Sequence, residues 1–329
     1  MSKITLGIVS PSRWPAKYFP QRLQKAIKNA QQLGFEVKFM KYALGSNWYV
    51  SDTPQHRAQD LMQAFADPEV DIVMSMIGGN HSNQILKYVD WEVIKNNPKP
   101  FVWYSDITVL HHALRTQAGL QTYYGPAFIT QFGDIGEGYQ YTFEYFQKVV
   151  IKRQSKIEVK PSSQWTDDFV DWGEQNPRPK KFVKNQWWHW LQPWKAIAPI
   201  SWGCVPCINH LLGTKYLMDW QDKIFFVDIP EDFCGPDKGF DIANLDAFLA
   251  DLDNVGVFDG IKGLIVGRPF RYSQQELEHL EEMIKYYTGG KGYPVLMGVD
   301  LGHTDPMITI PYLSRVKLDS HNDEFVINY

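Results

Sequence analysis

Cysteine is scarce. The chain has three in 329 residues, Cys204, Cys207 and Cys234, too few for a disulfide framework and suited to a reducing compartment. No stretch of about 18 consecutive apolar residues occurs, which argues against a membrane-spanning helix. Long basic runs are also missing, and a formal net charge of −4 offers no electrostatic footprint for a nucleic-acid polymer. The opening residues, Met1 to Ser10, lack the long apolar segment and small-residue cleavage site of a secretory signal and read as a strand. A cytoplasmic protein is therefore expected. Cys204-Val205-Pro206-Cys207, with His210 nearby, has a spacing found in redox pairs and metal sites. A zinc site would need a second ligand pair, and none follows. Buried thiols acting as small hydrophobes account for the motif more simply. No metal and no cofactor is expected.

What is present is enough for two domains: 329 residues, 44% of them apolar. The first half alternates strands and helices. Strands are expected at Ile4 to Val9, Glu36 to Tyr42, Ile72 to Ile77 and Phe101 to Tyr104. Helices are expected from Phe19 to Ala30, from Arg57 to Phe65, through Ile85, Leu86 and Val89, and from Ile107 to Thr116. Repeated βα units of this kind predict an α/β fold with an open parallel sheet. The second half adds helices near Pro206, Leu245 and Gln274, and strands at Lys223 to Val227, Gly263 to Val266 and Val295 to Val299. Short strands follow near Ile308, Val316 and Phe325. This portion reads as a second, more β-rich domain. The expected boundaries are 1–160 for an N-terminal α/β domain, 161–199 for a linking loop and 200–329 for a C-terminal domain.

Tryptophan is concentrated in the expected loop. Seven of the twelve fall between Trp165 and Trp202, among Pro, Lys and Gln. Indoles on a polar loop can stack on a ligand, bury themselves in a partner subunit or form a local aromatic core between domains. The pattern leaves all three open.

Ligands of open parallel sheets sit beyond the carboxyl ends of the strands. Two features lie there: the turn Gly78-Gly79-Asn80-His81-Ser82 and the serine ending Phe101-Val102-Trp103-Tyr104-Ser105. A serine between strand and helix can be a nucleophile served by backbone N–H groups. It can equally be a helix cap, with Ser105 or Asp106 bonding the first free N–H groups. Its flanks, Trp103 and Ile107, exclude the Gly-x-Ser-x-Gly elbow of the α/β-hydrolases. An acid, Asp228, ends a second strand, with Glu231 and Asp232 as rivals, and His303 follows a third. Serine, base and acid together can form a hydrolytic triad.

These residues carry a resemblance to the LD-carboxypeptidase family of serine peptidases, which includes the microcin C self-immunity hydrolases. It runs nearly end to end: Ser10-Pro11-Ser12, Arg57-Ala58-Gln59-Asp60-Leu61, Ala64-Phe65-Ala66-Asp67-Pro68, Ile77-Gly78-Gly79, Tyr104-Ser105-Asp106-Ile107-Thr108, Gly125-Pro126, Leu212-Gly213-Thr214, Gly267-Arg268-Pro269-Phe270, Gly302-His303 and Ile310-Pro311. The resemblance implies a flavodoxin-like N-terminal domain and a smaller β-rich C-terminal domain with the active site between them, usually as a homodimer. It implies Ser105 as nucleophile, His303 as base and Asp228 as acid, with backbone N–H groups of Gly79 and Asp106 as the oxyanion hole. Gly78, Asn80, Tyr104, Trp165 and Trp172 are expected to bind substrate, a small peptide or a peptidyl- or aminoacyl-nucleotide. The loop with Trp165 and Trp172 is similar to that of the microcin-immunity branch, whose tryptophans stack on a nucleobase.

Three departures stand out. Asp228 replaces the family's glutamate, shortening the acid by about 1.5 Å. Trp202-Gly203-Cys204 stands where Gly-Gly-Asn is usual, and Trp103 where Gly is common. They motivate an alternative, a catalytically impaired homologue that only binds its ligand. An Asp228 carboxylate within about 3.2 Å of a His303 ring nitrogen would favour the enzyme.

Overall fold

Short apolar strands, buried on both faces, organise the first half of the chain. The computed structural model describes residues 3–13, 17–134, 139–174, 178–186 and 188–329. These belong to two units, one of Met1–Glu137, Val170–Lys180 and Gly213–Met218, the other of Gly138–Phe169, Lys181–Leu212 and Asp219–Tyr329.

The first unit contains β1 (Ile4–Val9), α1 (Pro20–Gln32), β2 (Phe35–Phe39), α2 (Pro54–Ala66), β3 (Ile72–Ser75), α3 (Trp91–Lys95), β4 (Phe101–Trp103), α4 (Thr108–Ala118) and β5 (Tyr123–Tyr124). These strands pair in parallel, in the order β5-β4-β3-β1-β2. That is the flavodoxin-like order, and it reverses direction between β1 and β3, where such sheets form a ligand crevice. Every residue of β3 and β4 is buried, as expected of a parallel sheet covered on both faces. Pro54 starts α2, and the Thr53 hydroxyl accepts from His56 N–H. The helix expected after the Gly78-Gly79 turn is instead a 3₁₀ helix over Ser82–Tyr88, although Ile85, Leu86 and Val89 are buried as its spacing implied. Its winding stops at extended Val89, and the Asp90 carboxylate then caps α3.

The elements of the second unit are α5 (Gln140–Phe146), β6 (Lys156–Val159), β7 (Gln164–Trp165), β8 (Val183–Lys184), β9 (His189–Gln192), β10 (Lys195–Cys204), α6 (Val205–Asn209), β11 (Ile224–Asp228), β12 (Glu231–Asp232) and β13 (Gly235–Gly239). They continue with α7 (Ile242–Asn254), α8 (Val257–Gly260), β14 (Gly263–Gly267), α9 (Gln274–Thr288), β15 (Val295–Val299), β16 (Ile310–Pro311), β17 (Arg315–Asp319) and β18 (Glu324–Asn328). The expected loop 161–199 carries the short strands β7 and β8, and its last part is strand, in β9 and the start of β10. Val170–Lys180 belongs to the first unit and the rest of the loop to the second. Eight of these strands form one mixed sheet, β6-β18-β17-β10-β11-β14-β15-β9. β10 joins its two halves: Lys195 to Pro199 pairs antiparallel with β17, and Ile200 to Cys204 parallel with β11. The parallel strands β11, β14 and β15 are nearly all buried, and β11 and β15 deliver Asp228 and the His303 loop. Among the described residues no helix is long and apolar enough to cross a membrane.

Candidate active site

Ser105 owes its position to a change of backbone hand. β4 ends at Trp103, Tyr104 is extended, and Ser105 turns to φ +63° before the chain enters α4. A left-handed conformation costs an L-residue about 1–2 kcal/mol, so the fold holds it there against local preference. Ser105 is not a helix cap: α4 has Ile107 at that position and no side-chain capping bond. Its own N–H donates to the Tyr124 hydroxyl at 3.2 Å. Gly78 presses against it, for a Cβ on Gly78 would lie 3.2 Å from both Cβ and Oγ of Ser105. Tyr104 is buried, stacked on Trp103 and edge-on to Tyr124. Trp103 is also buried, and its indole nitrogen would lie 3.4 Å from a Gly78 Cβ.

Asp106 does not cap a helix either. Its buried carboxylate accepts from His81 N–H at 3.1 Å and Ser82 N–H at 3.0 Å, with the Ser82 hydroxyl 2.9 Å away. The residue after the serine therefore holds the turn after β3. Within that turn Gly79 has φ +144°, and a Cβ there would fall 2.5 Å from Ser12 Oγ. Ser12 Oγ accepts from His81 N–H at 3.1 Å, while Arg13 N–H donates to Gly78 C=O at 3.1 Å. Asn80 is partly exposed beside it. Arg57, on α2, opens the Arg57-Ala58-Gln59-Asp60-Leu61 motif, and nothing in the sequence pattern assigns it a role. It is buried and lies under this turn, donating to the carbonyls of Pro11 and His81. Burial draws its guanidinium down to about 10 against the opposing charge of Asp106, so it remains a cation at neutral pH.

The second unit supplies an acid–base pair. Asp228 is fully buried at the end of β11, and His303 follows β15. His303 Nδ1 lies 3.0 Å from Oδ1 and 2.8 Å from Oδ2 of Asp228. Asp228 thus reaches the imidazole, and the backbone of the histidine loop passes close to its carboxylate. Gly302 has φ +89°, and a Cβ there would stand 1.8 Å from Asp228 Oδ1. Only glycine leaves that space for the carboxylate. The Glu231 carboxylate lies 3.6 Å from Nε2. Burial works to lower the His303 pKa, but Asp228 and Glu231 outweigh it and raise it to about 9. An imidazole with Nδ1 held by a carboxylate presents Nε2 for proton transfer.

The loop carrying His303 is tied down by a buried network that the sequence did not reveal. Asp300 accepts from Ser162 N–H at 2.8 Å and from Arg268 at 2.8 Å, and Arg268 also donates to Asn185 Oδ1 at 3.0 Å. The only hint was an arginine among apolar residues in Gly267-Arg268-Pro269-Phe270. The backbones of Thr166 and Asp305 exchange bonds of 2.7 and 2.9 Å. Trp165, next to Thr166, carries the Arg268 guanidinium over its ring at 4.6 Å. Trp172 belongs to the first unit, with Arg22 over its ring at 4.4 Å and Phe19 edge-on. Of the other clustered tryptophans, Trp188 is buried near Phe325, Trp194 is exposed, and Trp187 lies outside the described residues.

Trp202 is buried at φ +108° and stacked on Phe225 at 4.3 Å. Cys204 and Cys207 are buried, and burial pushes the Cys204 thiol well above its ordinary value. Such thiols are poor nucleophiles and poor ligands. Among the described residues, no cluster of three or more His, Cys, Asp or Glu side chains is arranged to hold a metal.

Comparison with known proteins follows the two halves of the chain. A family model described as the LD-carboxypeptidase N-terminal domain matches residues 6–125, and one described as the LD-carboxypeptidase C-terminal domain matches residues 199–318. The microcin C7 self-immunity protein MccF of Escherichia coli is 28% identical over 98% of this chain and 92% of its own length. The apo structure of MccF superposes with a TM-score of 0.92 at 27% identity, covering 100% of this chain and 97% of that one. Structures of MccF with aspartyl sulfamoyl adenosine and glutamyl sulfamoyl guanosine superpose with TM-scores of 0.92 and 0.91. A Bacillus subtilis protein named a probable murein peptide carboxypeptidase is 27% identical over 98% of this chain and 91% of its own. An MccF-like protein from Bacillus anthracis has a TM-score of 0.88 at 31% identity, over 100% of this chain and 97% of that one.

Proposed function

The chain belongs to the LD-carboxypeptidase family, and we propose that it is a serine hydrolase with Ser105 as nucleophile, His303 as base and Asp228 as the acid that orients the base. The observation that carries this reading is the contact of 2.8 Å between His303 Nδ1 and the Asp228 carboxylate. It lies inside the limit of about 3.2 Å that favours an enzyme over a binding protein. The strained φ of +63° at Ser105 supports the same reading.

In the proposed reaction Ser105 Oγ attacks the scissile carbonyl carbon while His303 Nε2 takes the hydroxyl proton. The charge on the carbonyl oxygen is received by the N–H groups of Gly79 and Asp106. Collapse breaks the C–N bond, and His303 returns the proton to the departing nitrogen. Water, activated by the same imidazole, then releases the acyl group from Ser105. Only the neutral imidazole can begin this cycle.

The substrate class is an amide next to a carboxylate in a murein-type peptide, or the corresponding bond of a peptidyl- or aminoacyl-nucleotide. MccF bound to aminoacyl sulfamoyl nucleosides supports the nucleotide conjugate. Gly78, Asn80 and Tyr104 are the proposed lining beside the nucleophile, with Trp165 and Trp172 for the base. A cytoplasmic homodimer completes the proposal, and sedimentation at micromolar concentration checks its stoichiometry.

The test is hydrolysis of an LD-tetrapeptide and of an aminoacyl-sulfamoyl adenosine by wild type and by Ser105→Ala. Turnover of at least one substrate that vanishes in the folded variant is expected. Equal turnover in the two proteins would remove Ser105 from the mechanism.

A further inference from the structure

Arg57 makes four hydrogen bonds, and none of them goes to a carboxylate. Nε donates to Asp52 C=O at 2.9 Å, Nη1 to Pro11 C=O at 2.5 Å and His81 C=O at 3.1 Å, and Nη2 to Gln84 Oε1 at 2.6 Å. Pro11 follows β1, while His81 and Gln84 follow β3. One guanidinium thus joins the two loops that flank the reversal point of the sheet, with the residue itself 1% exposed. On the opposite side, the Asp106 carboxylate takes the N–H groups of His81 and Ser82. His81 is held through its carbonyl by a buried cation and through its N–H by a buried anion.

A buried charge is costly, and an apolar side chain would often stabilise such a site as well or better. What the charges supply is geometry. Charge-assisted bonds are short, directional and about twice as strong as neutral ones. The planar fork of Arg holds its donors on three nitrogens in fixed directions and so spans carbonyls on separate loops, whereas a lysine offers its three donors from a single nitrogen on a flexible stem. The turn so held contains Gly79, at a φ of +144° and two residues before His81. Asp106 is bonded covalently to Ser105. The clamp therefore sets the Gly79 turn relative to the serine.

We propose that Arg57 is a positioning residue for catalysis, which with Asp106 fixes the Gly78–His81 turn so that the Gly79 N–H is aimed before the substrate arrives. This rests on the reading of Ser105 and Gly79 given above. Preorganised oxyanion donors act on the transition state and leave ground-state binding nearly untouched, and losing one costs about 10²–10³ in rate.

The experiment compares wild type, Ser105→Ala, Arg57→Ala and Arg57→Lys by steady-state kinetics, circular dichroism and thermal melting. In folded Arg57→Ala, kcat is expected to fall about a hundredfold with KM within about threefold. Millimolar guanidinium chloride should restore a part of the rate in Arg57→Ala and none in Ser105→Ala. Arg57→Lys keeps the charge but not the fork and should lose at least tenfold in kcat. Hydrolysis by wild type that persists in Ser105→Ala would fail the underlying reading, whatever Arg57 does. With Ser105-dependent activity established, a near wild-type kcat in Arg57→Ala, or a loss carried wholly by KM, overturns the positioning role. Unfolding of both Arg57 variants also overturns it, because Arg57 would then serve the fold and not the turn.

Discussion

His303 carries two consequences of its surroundings. With a pKa raised to about 9, most of the imidazole is protonated at pH 7, and the neutral fraction grows tenfold per unit until that value is approached. kcat/KM should therefore climb through neutral pH and level off near 9. Glu231→Gln removes a charge 3.6 Å from Nε2, so the acidic limb should move to lower pH and the rate at pH 7 should rise. Because the Glu231 side chain is 39% exposed, solvent screens it and the displacement should be smaller than in Asp228→Asn. A limb that stays in place in Glu231→Gln would remove Glu231 from the electrostatics of the base. Stability follows the same proton. A pKa raised on folding contributes stability that is complete below the ordinary histidine value of 6.5 and is lost as pH rises through about 9. The contribution of His303 to Tm should accordingly fall across that window, and His303→Gln should flatten the profile.

Strand ends are where the proposed site was legible and where its one shortened side chain is accommodated. The period of the apolar residues located β1, β3 and β4 and set Ser105 at a carboxyl end, and the same pattern located β11 and β15. It could not reveal that Gly302 makes room for Asp228, because that contact joins residues 74 positions apart, from 228 to 302. A methyl group at Gly302 would meet a left-handed φ of +89° and a carboxylate oxygen at 1.8 Å. Gly302→Ala should thus displace the acid, lower kcat about a hundredfold or more, and destabilise the second unit by roughly 1–3 kcal/mol. Activity assays and melting curves check both, and wild-type values in both would show the loop yielding freely. Trp202 makes the opposite case. Its φ of +108° stores about 1–3 kcal/mol, but emptying a buried indole site costs about 3–5 kcal/mol. The cavity dominates, so Trp202→Gly should lower Tm although it relieves the backbone. The strands at the end of the tryptophan-rich stretch are hidden in the sequence for a related reason: β9 and β10 are strands through partners far along the chain, β15 and β17. Pro193 and Pro199 also break the local pattern, and neither strand is visible from its own residues alone.

At the scale of the whole molecule, the two tryptophans proposed to take a nucleobase lie in different units. Each carries a guanidinium on its ring, Arg268 on Trp165 and Arg22 on Trp172. Both arginines are pinned, the first by Asp300 and Asn185, the second by the carbonyls of Ile129 and Thr130. An indole fixed in this way loses little further freedom when a base stacks on it, which favours recognition of planar groups. Stacking is worth about 1–3 kcal/mol per base, or roughly 5- to 150-fold in affinity. Trp165→Ala and Trp172→Ala should therefore raise KM for an aminoacyl-sulfamoyl adenosine by that factor while kcat/KM for an LD-tetrapeptide stays near wild type. A loss shared equally by both substrates would mean that the indoles serve the fold, through their arginines, and that the base is recognised elsewhere. The split is diagnostic because the two substrates share the reacting amide and differ in the planar group. An effect confined to one of them cannot arise at Ser105 or His303.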